Sequence, residues 1–197
     1  MDNLKRLLNQ ECDRTLSDEE WDALFALAEE ISLKKGEVLI TPGEVNPDVY
    51  IVKEGILRGV DFDGDQERTF CFGLPGTLFN SRFSFYKLLP SYYQIEACVR
   101  STVLRIPRDE YIALTDSNHR FALWALHYAW SEQFLEEDRE STVHNGTAEE
   151  RYLHMLQTRP AIVKNVSQRI LASYLGVSPE YLSRIKAAIL RRGCKKE

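Results

Sequence analysis

The sequence predicts an α+β fold: an N-terminal, jelly-roll-like antiparallel β-roll with flanking helices, a long central helix, and a C-terminal helix-turn-helix with little or no wing. Short β-rich segments with a glycine in most turns fill residues 33–107, residues 119–141 contain neither Gly nor Pro, and two short amphipathic segments flank Gly176. We therefore divide the chain into a helical lead-in with the β-roll (1–115), a central helix (116–143) and a helix-turn-helix domain (148–197).

The lead-in, residues 2–31, is helical in character. Ser17 and Glu20 have the spacing of a capping box, and an apolar helix face follows them: Trp21, Leu24, Phe25, Leu27 and Ala28. The first residues lack the pattern of a signal peptide, and no apolar run reaches the roughly 20 residues that span a bilayer. We therefore expect a cytoplasmic protein with no membrane segment.

Residues 33–107 have the texture of a small antiparallel barrel or roll. The expected strands are Glu37–Thr41, Val49–Lys53, Ile56–Asp61, Arg68–Phe72, Gln94–Ala97 and Thr102–Ile106. Asp63-Gly64-Asp65 is typical of a hairpin turn between two of them.

An irregular segment rich in aromatic and hydroxyl side chains interrupts the roll between Gly76 and Ser91. Such interruptions are frequent places for ligand pockets, so we expect an effector pocket that takes a small neutral or weakly polar ligand. Its candidate residues are Gly76, Thr77, Leu78, Asn80, Ser81, Ser91 and Tyr92.

The long helix carries an apolar stripe formed by Phe121, Trp124, Tyr128 and Leu135. The stripe could pack against the chain's own β-roll, or it could be the seam of a dimer, since an aromatic stripe on a long helix between two domains suits a helix pair. We favour the dimer seam. Residues 142–147, with Asn145-Gly146, are the expected hinge, and one more helix is expected over 148–158.

Residues 167–190 predict two short helices joined at Gly176, which can adopt the positive φ that such a turn needs. Ser178 as N-cap, Pro179 at the first helical position and Glu180 in the first turn start the second helix. A purely structural helical hairpin is the alternative, but we favour a DNA-binding helix-turn-helix. The candidate DNA-binding residues are Gln168, Arg169, Ser178, Pro179, Glu180, Tyr181, Ser183, Arg184 and Lys186.

Charge is unevenly distributed along the chain. The net charge of the whole is −5, but residues 159–197 contain nine Lys or Arg against two acids, which gives +7 there and −12 for residues 1–158. An acidic body with a basic C-terminal module suits a protein whose last part alone contacts phosphates.

Other chemistries find little support. Cys12, Cys71, Cys98 and Cys194 lie far apart, which argues against a zinc site, an iron–sulfur centre or a disulfide framework. No histidine precedes His119, so a metal-binding β-barrel enzyme is disfavoured, and no nucleophile elbow or P-loop is present. We expect no catalytic residues, no metal and no cofactor, although haem ligation by one of the four histidines is conceivable: His119, His127, His144 and His154.

The chain resembles the Crp/Fnr family of bacterial transcription regulators, which have a cyclic-nucleotide-binding domain. The resemblance rests on residues 34–59, 75–79, 101–111 and 172–185. It implies a homodimer paired through the central helices, with residues 178–186 of each subunit in a major groove of double-stranded DNA. Glu180 and Arg184 match the family's reading residues, suited to cytosine and guanine, while Pro179 replaces an Arg and implies a different site. RNA polymerase is a further candidate partner.

The ligand side departs from the family pattern. At the places where cyclic-nucleotide binders have Gly-Glu-Leu and an Arg-Ser or Arg-Thr pair, this chain has Gly76-Thr77-Leu78 and Ser91-Tyr92. A cyclic phosphate would lack its arginine, so we do not expect the roll to bind cyclic AMP. The roll either senses another small molecule or senses none. As an alternative function, the helix-turn-helix would mediate protein contacts rather than read DNA.

Overall fold

The computed structural model describes residues 1–10, 12, 14–64 and 66–193, leaving out the side chains of residues 135, 136, 138–145 and 193. The helices are α1 (Asp2–Gln10), α2 (Asp18–Ala26), α3 (Arg82–Lys87), α4 (Arg108–Ser117), α5 (His119–Asn145), α6 (Ala148–Thr158), α7 (Pro160–Asn165), α8 (Gln168–Leu175) and α9 (Pro179–Gly193). The strands are β1 (Glu29–Leu33), β2 (Val38–Ile40), β3 (Val49–Glu54), β4 (Leu57–Asp63), β5 (Gln66–Gly73), β6 (Leu78–Phe79), β7 (Gln94–Ala97) and β8 (Ser101–Ile106).

The eight strands form two antiparallel four-stranded sheets, in the orders β1-β8-β3-β6 and β2-β7-β4-β5. Gly64, with φ +60°, lies in the turn of the β4–β5 hairpin, where Asp63 pairs with Gln66. The side chains between the sheets are apolar and buried: Leu33, Ile40, Tyr50, Val52, Leu57, Phe79, Ile95, Ala97 and Val103. The predicted α+β fold with a β-roll is confirmed.

Four short elements differ from the sequence expectation. Ser17 and Glu20 form the predicted capping box of α2, but the lead-in ends in a strand, because β1 pairs with β8 from Glu29 to Leu33. The short strand β6 and the short helices α3 and α7 were also missed. Their two and six residues are too few to produce a recognisable periodicity, and tertiary contacts decide their conformation.

The long helix α5 begins at His119 and continues to Asn145, so the residues expected as a hinge are mostly its last turn. Phe121, Trp124 and Tyr128 are 0%, 0% and 7% exposed, and they pack with Leu8 and Trp21 of the lead-in helices. The prediction that this stripe is a dimer seam is wrong for these three residues, because their own chain already covers them. The side chain of Leu135 lies outside the described residues.

The helix-turn-helix unit packs on the β-roll of its own chain. One buried cluster joins Ile56, Phe72 and Cys98 of the roll to residues of the C-terminal helices, among them Leu171 and Leu175. The rings of Phe72 and Tyr174 lie with their centroids 4.9 Å apart across this contact. The two parts of the chain therefore share a core.

Candidate nucleic-acid interface

The turn between α8 and α9 has the geometry that the sequence predicts. Gly176 ends α8 in the left-handed region, with φ +66°, and the Val177 amide donates to the carbonyl of Ala172 at 3.0 Å. Ser178 then caps α9, because its hydroxyl accepts a hydrogen bond from the Tyr181 amide at 3.1 Å. The cap and the glycine fix where the second helix starts and in which direction it leaves.

The inner faces of the two helices hold them as one rigid unit. Leu171 and Leu182 are fully buried and Ile185 is 5% exposed, all within one cluster. On the outside, the Gln168 side-chain amide donates to the carbonyl of Pro179 at 2.8 Å and links the starts of both helices. Whatever orients α8 therefore also orients α9.

An open cleft of about 520 Å³ runs along the exposed side of α9. It is lined by Gln168, Pro179, Glu180, Ser183, Arg184 and Ala187. Five of these six are candidate DNA-binding residues, so the structure brings together side chains that the sequence singled out. We call this group of six residues the reading cleft.

Arg184 and Glu180 give the reading cleft both a donor and an acceptor. The Arg184 guanidinium lies over the ring of Tyr181, 5.4 Å from its centroid, so an aromatic face supports the cation. A hydrogen bond from its own backbone amide, and then one from Ser178, lower the pKa of Glu180. Glu180 is therefore an ionised acceptor at neutral pH beside a permanent cation.

Several candidate DNA-binding residues lie outside the reading cleft. The Ser178 hydroxyl is occupied by its cap. Lys186 is half-buried, with Nζ 5.6 Å from the ring centroid of Tyr152 on α6, so this candidate DNA-binding residue does not lie in the reading cleft. Arg169 lies at the start of α8, and its Nη2 is 4.0 Å from Oε1 of Glu67 on β5. Lys186 and Ser178 support the helices rather than the reading cleft.

The predicted effector-pocket residues use their polar groups inside the chain. The Ser81 hydroxyl accepts from the Ser84 amide and caps α3, and the Ser91 hydroxyl donates to the Tyr93 carbonyl at 2.8 Å. The Thr77 hydroxyl accepts from the Leu74 amide at 3.1 Å. These hydroxyls hold turns together, which explains why the segment is rich in them.

The remaining members are spread over separate contacts. The Leu78 amide donates to the Tyr128 hydroxyl at 2.8 Å, and the Asn80 carbonyl accepts from the Tyr93 hydroxyl at 2.6 Å. Gly76, with φ +97°, lies beneath α1, where an added Cβ would be 2.9 Å from Cβ of Leu7. The lead-in helix thus covers the turn at which the family resemblance places a ligand.

Two of the predicted pocket residues, Ser91 and Tyr92, line a surface cleft together. That open cleft, about 440 Å³, is otherwise formed by Pro42, Gly43, Leu89 and Pro90, and it has no charged lining residue. A phosphate group would find no counter-charge there. The expectation that the seven residues form one pocket is wrong, because hydrogen bonds and packing distribute them over several turns.

Sequence reasoning missed a second stripe on α5. Leu126, Trp130 and Phe134 are 53%, 55% and 62% exposed, and their i, i+4, i+8 spacing places them on one face, opposite the buried stripe. Both stripes have helical spacing in the sequence, and only their burial in the fold distinguishes them. We call Leu126, Trp130 and Phe134 the outer stripe.

No cluster of three or more His, Cys, Asp or Glu side chains that could hold a metal ion occurs among the described residues. Within the same described part of the chain, no helix has both the length and the apolar character to cross a membrane.

A family model described as a cyclic nucleotide-binding domain matches residues 30–118. A comparison with curated protein sequences gave no match.

Several solved structures share the fold of nearly the whole chain. FixK2 from Bradyrhizobium japonicum is 22% identical, with 84% of this chain and 86% of that chain covered and a TM-score of 0.73. The c-di-GMP-responsive global regulator CLP of Xanthomonas campestris is 16% identical, with 90% and 93% covered and a TM-score of 0.72. The Thermus thermophilus Catabolite Activator Protein is 24% identical, with 90% and 85% covered and a TM-score of 0.54. Residues 30–118 therefore match the cyclic nucleotide-binding domain family, and the chain shares its fold with these solved structures.

Proposed function

We propose that this protein is a dimeric transcription regulator that reads a specific sequence of double-stranded DNA with α9. The observation that carries the proposal is the reading cleft: an exposed helix face on which Arg184, Glu180 and Gln168 converge beside Ser183. A structural hairpin has no need of an ionised acceptor and a permanent cation on its solvent face. Two solved neighbours are named as an activator protein and a global regulator, which favours a regulator over an enzyme.

Base recognition follows from the chemistry of the two charged residues. A guanidinium can donate to both O6 and N7 of guanine, and a carboxylate can accept from the N4 amino group of cytosine. The ring of Tyr181 below Arg184 restricts the guanidinium and reduces the entropy that base contact costs. We expect Arg184 to contribute about 1–3 kcal/mol of discrimination at one position of each half-site.

Phosphate contacts would come from the basic C-terminal module. The first helix of a helix-turn-helix crosses the DNA backbone, and Arg169 lies at the start of α8. Residues 159–197 carry +7 against −12 for the rest of the chain, so only this module attracts DNA.

Dimerisation would use the outer stripe of α5. These three large apolar side chains are each more than half exposed, which is costly for a helix face in water unless a partner covers it. A second copy related by a two-fold axis would bring the same stripe against it and close the assembly. The central helix thus keeps its proposed role, with different residues from those first expected.

The β-roll, on this proposal, does not bind cyclic AMP. Its interior is filled by apolar side chains such as Phe79, and the hydroxyls of the interrupting segment are already hydrogen-bonded. Arg58, a buried cation of the roll, is already paired with Glu67 and Glu96, so an anionic ligand buried there would lack a free cation, at a cost of several kcal/mol. The roll either takes a neutral small molecule or serves as a rigid support without an effector. A contact with RNA polymerase stays a prediction.

The alternative is that the helix-turn-helix binds a protein instead of DNA. An acidic protein surface would also suit a +7 module, so charge alone does not separate the two. Selection from random duplex DNA with the purified dimer does. We expect enrichment of a near-palindrome with half-sites one helical turn apart. Enrichment of no sequence by the wild-type protein would contradict the proposal and favour the protein-binding alternative.

A further inference from the structure

The contact between the helix-turn-helix and the β-roll has a polar centre at the open edge of a sheet. β5 is the outermost strand of its sheet, so the backbone groups on its outer side have no neighbouring strand. The Ser173 hydroxyl of α8 donates to the Glu67 carbonyl at 3.0 Å and accepts from the Thr69 amide at 2.9 Å. One serine thereby satisfies two edge groups of β5, as a neighbouring strand would.

A bulge prepares β5 for this contact. Gly59 pairs with Cys71 but Val60 pairs with Thr69, so one extra residue, Phe70, interrupts the ladder next to the Thr69 amide. Bulges turn backbone groups out of the regular pattern and end strand pairing locally. The irregularity lies where α8 meets the strand.

A buried cation fixes the same short stretch of β5 from behind. Arg58 on β4 is 4% exposed, and its guanidinium donates to Thr69 Oγ1 at 2.9 Å, to Glu67 Oε2 at 3.0 Å and to Glu96 Oε1 at 2.7 Å. Glu67 and Thr69 are the two residues whose backbone Ser173 binds. Their positions are therefore also fixed by contacts within the roll that do not involve α8.

We propose that Ser173 is a positioning residue that sets the orientation of the reading helices, and thereby the half-site spacing that the dimer accepts. The inference rests on the proposed DNA-binding function. A rigid path joins the dimer seam to the DNA: the outer stripe on α5, the roll that buries the inner face of α5, the β5 edge, Ser173, and α8 with α9. Gly146 and Thr147, the only residues between α5 and α6, are the second connection, and they lack any sheet or helix ladder.

Base preference within a half-site and the spacing between half-sites depend on different residues. Arg184 and Glu180 determine which bases are preferred within a half-site. Ser173 contacts β5 and, in the described hydrogen bonds, no residue of the reading cleft; it determines how far apart two half-sites are. Loss of the Ser173 hydroxyl therefore changes the half-site spacing that the dimer accepts and leaves the base preference within each half-site unaltered.

The first part of the test measures the two hydrogen bonds between Ser173 and β5, which we call the clasp. Amide hydrogen exchange of Thr69 is followed in the wild-type protein, in Ser173→Ala, in Ser173→Thr and in the control Ser117→Ala on exposed α4. The loss of one to two hydrogen bonds corresponds to a decrease of about 5- to 30-fold in Thr69 protection in Ser173→Ala. Ser173→Thr retains a hydroxyl and is expected to restore protection, and Ser117→Ala leaves it unchanged. Unprotected Thr69 in the wild type would overturn the inference.

The second part measures spacing. The selected half-site is placed twice in duplexes whose central spacer varies base by base, and the four proteins compete for this library. We expect the wild type, Ser173→Thr and Ser117→Ala to enrich one spacing, and Ser173→Ala to lose about 5- to 30-fold of that preference with the same half-site. If Ser173→Ala keeps the same sharp preference for one spacing, the role of Ser173 is wrong, while the proposed DNA-binding function is unaffected. Failure of the wild type to enrich any DNA would instead overturn the proposed function, while Thr69 exchange still reports on the clasp.

Discussion

The segment over residues 74–92 and the reading cleft are both rich in polar side chains, yet they use them in opposite ways. In the first, the hydroxyls of Ser81 and Ser91 are hydrogen-bonded within caps and turns of the same chain. In the second, Arg184 and Glu180 face an open cleft, and Arg184 has an aromatic ring as its neighbour. The difference teaches that polar composition does not by itself mark a binding site. A site needs polar groups whose hydrogen-bonding capacity is still available, and this chain offers those at α9.

The largest expected effect is the loss of DNA affinity with salt. Binding through phosphates releases counterions, so a dimer with six to ten phosphate contacts should lose roughly a thousandfold or more in affinity between about 50 and about 200 mM salt. Fluorescence anisotropy of a labelled operator measures this. Arg169→Gln should reduce the slope of log K against log salt by about two, one for each subunit. A DNA affinity that hardly changes with salt would show that the basic module does not bind phosphates, and would contradict its contrast with the acidic body.

The next largest effect concerns the outer stripe. Trp130→Glu places a charge in the proposed seam twice, once from each subunit, and truncating a central aromatic anchor costs about 2 kcal/mol or more for each copy. We therefore expect the dimer dissociation constant to rise about a thousandfold, measured by sedimentation. Tyr86→Glu is the matched control, since Tyr86 is 73% exposed on α3 and away from the seam. A Trp130→Glu protein that remains dimeric would refute the seam.

A smaller effect is expected at the junction of the two domains. Burial raises the pKa of the Cys98 thiol from 9.0 to about 12, so little reactive thiolate exists at neutral pH. Cys98 belongs to the cluster shared by the roll and the C-terminal helices. Ser173→Ala should accelerate its alkylation about 5- to 30-fold, followed by site-resolved mass spectrometry. The rate should rise with pH in both proteins, because the thiolate forms as pH approaches the raised pKa. Equal rates in the two proteins would mean that the clasp does not hold the junction closed.

The smallest expected effect is that of cyclic AMP. A ligand that binds the folded state raises the melting temperature, and the rise grows with ligand concentration. We expect no rise with cyclic AMP at millimolar concentration, since the segment over residues 74–92 offers it no buried arginine. Calorimetry of the same samples gives an independent reading. A clear thermal shift at micromolar cyclic AMP would show that this segment does retain free binding groups.

Much of the fold could be predicted because its signals are local. The caps at Ser17 and Ser178, the glycine at 176 and the strand-and-turn rhythm all depend on neighbours in sequence. The reading cleft was predictable for the same reason, since α9 presents its polar face in a fixed register. Lys186 was misplaced because its partner Tyr152 lies 34 positions earlier in the chain.

The features that the sequence did not predict correctly depend on contacts between residues that are distant in sequence. Whether Phe121 or Leu126 faces a partner depends on which side of α5 meets α1 and α2, and amphipathic spacing cannot choose between two apolar stripes. The Ser173 contact with β5 bridges more than a hundred positions and involves backbone atoms, so no side-chain pattern announces it. The prediction of an effector pocket was wrong because the sequence does not distinguish hydroxyls that cap turns from hydroxyls that bind a ligand.

The most direct test of the account is a double-mutant cycle between Arg184 and its base. Equilibrium binding is measured for the wild type and Arg184→Ala, each with the selected operator and with the operator changed at the proposed guanine. We expect the wild type to lose about 1–3 kcal/mol on the base change, and Arg184→Ala to lose no more than a few tenths of a kcal/mol further. Additive losses would show that Arg184 does not contact that base and would contradict the assignment of α9 as the reader of DNA.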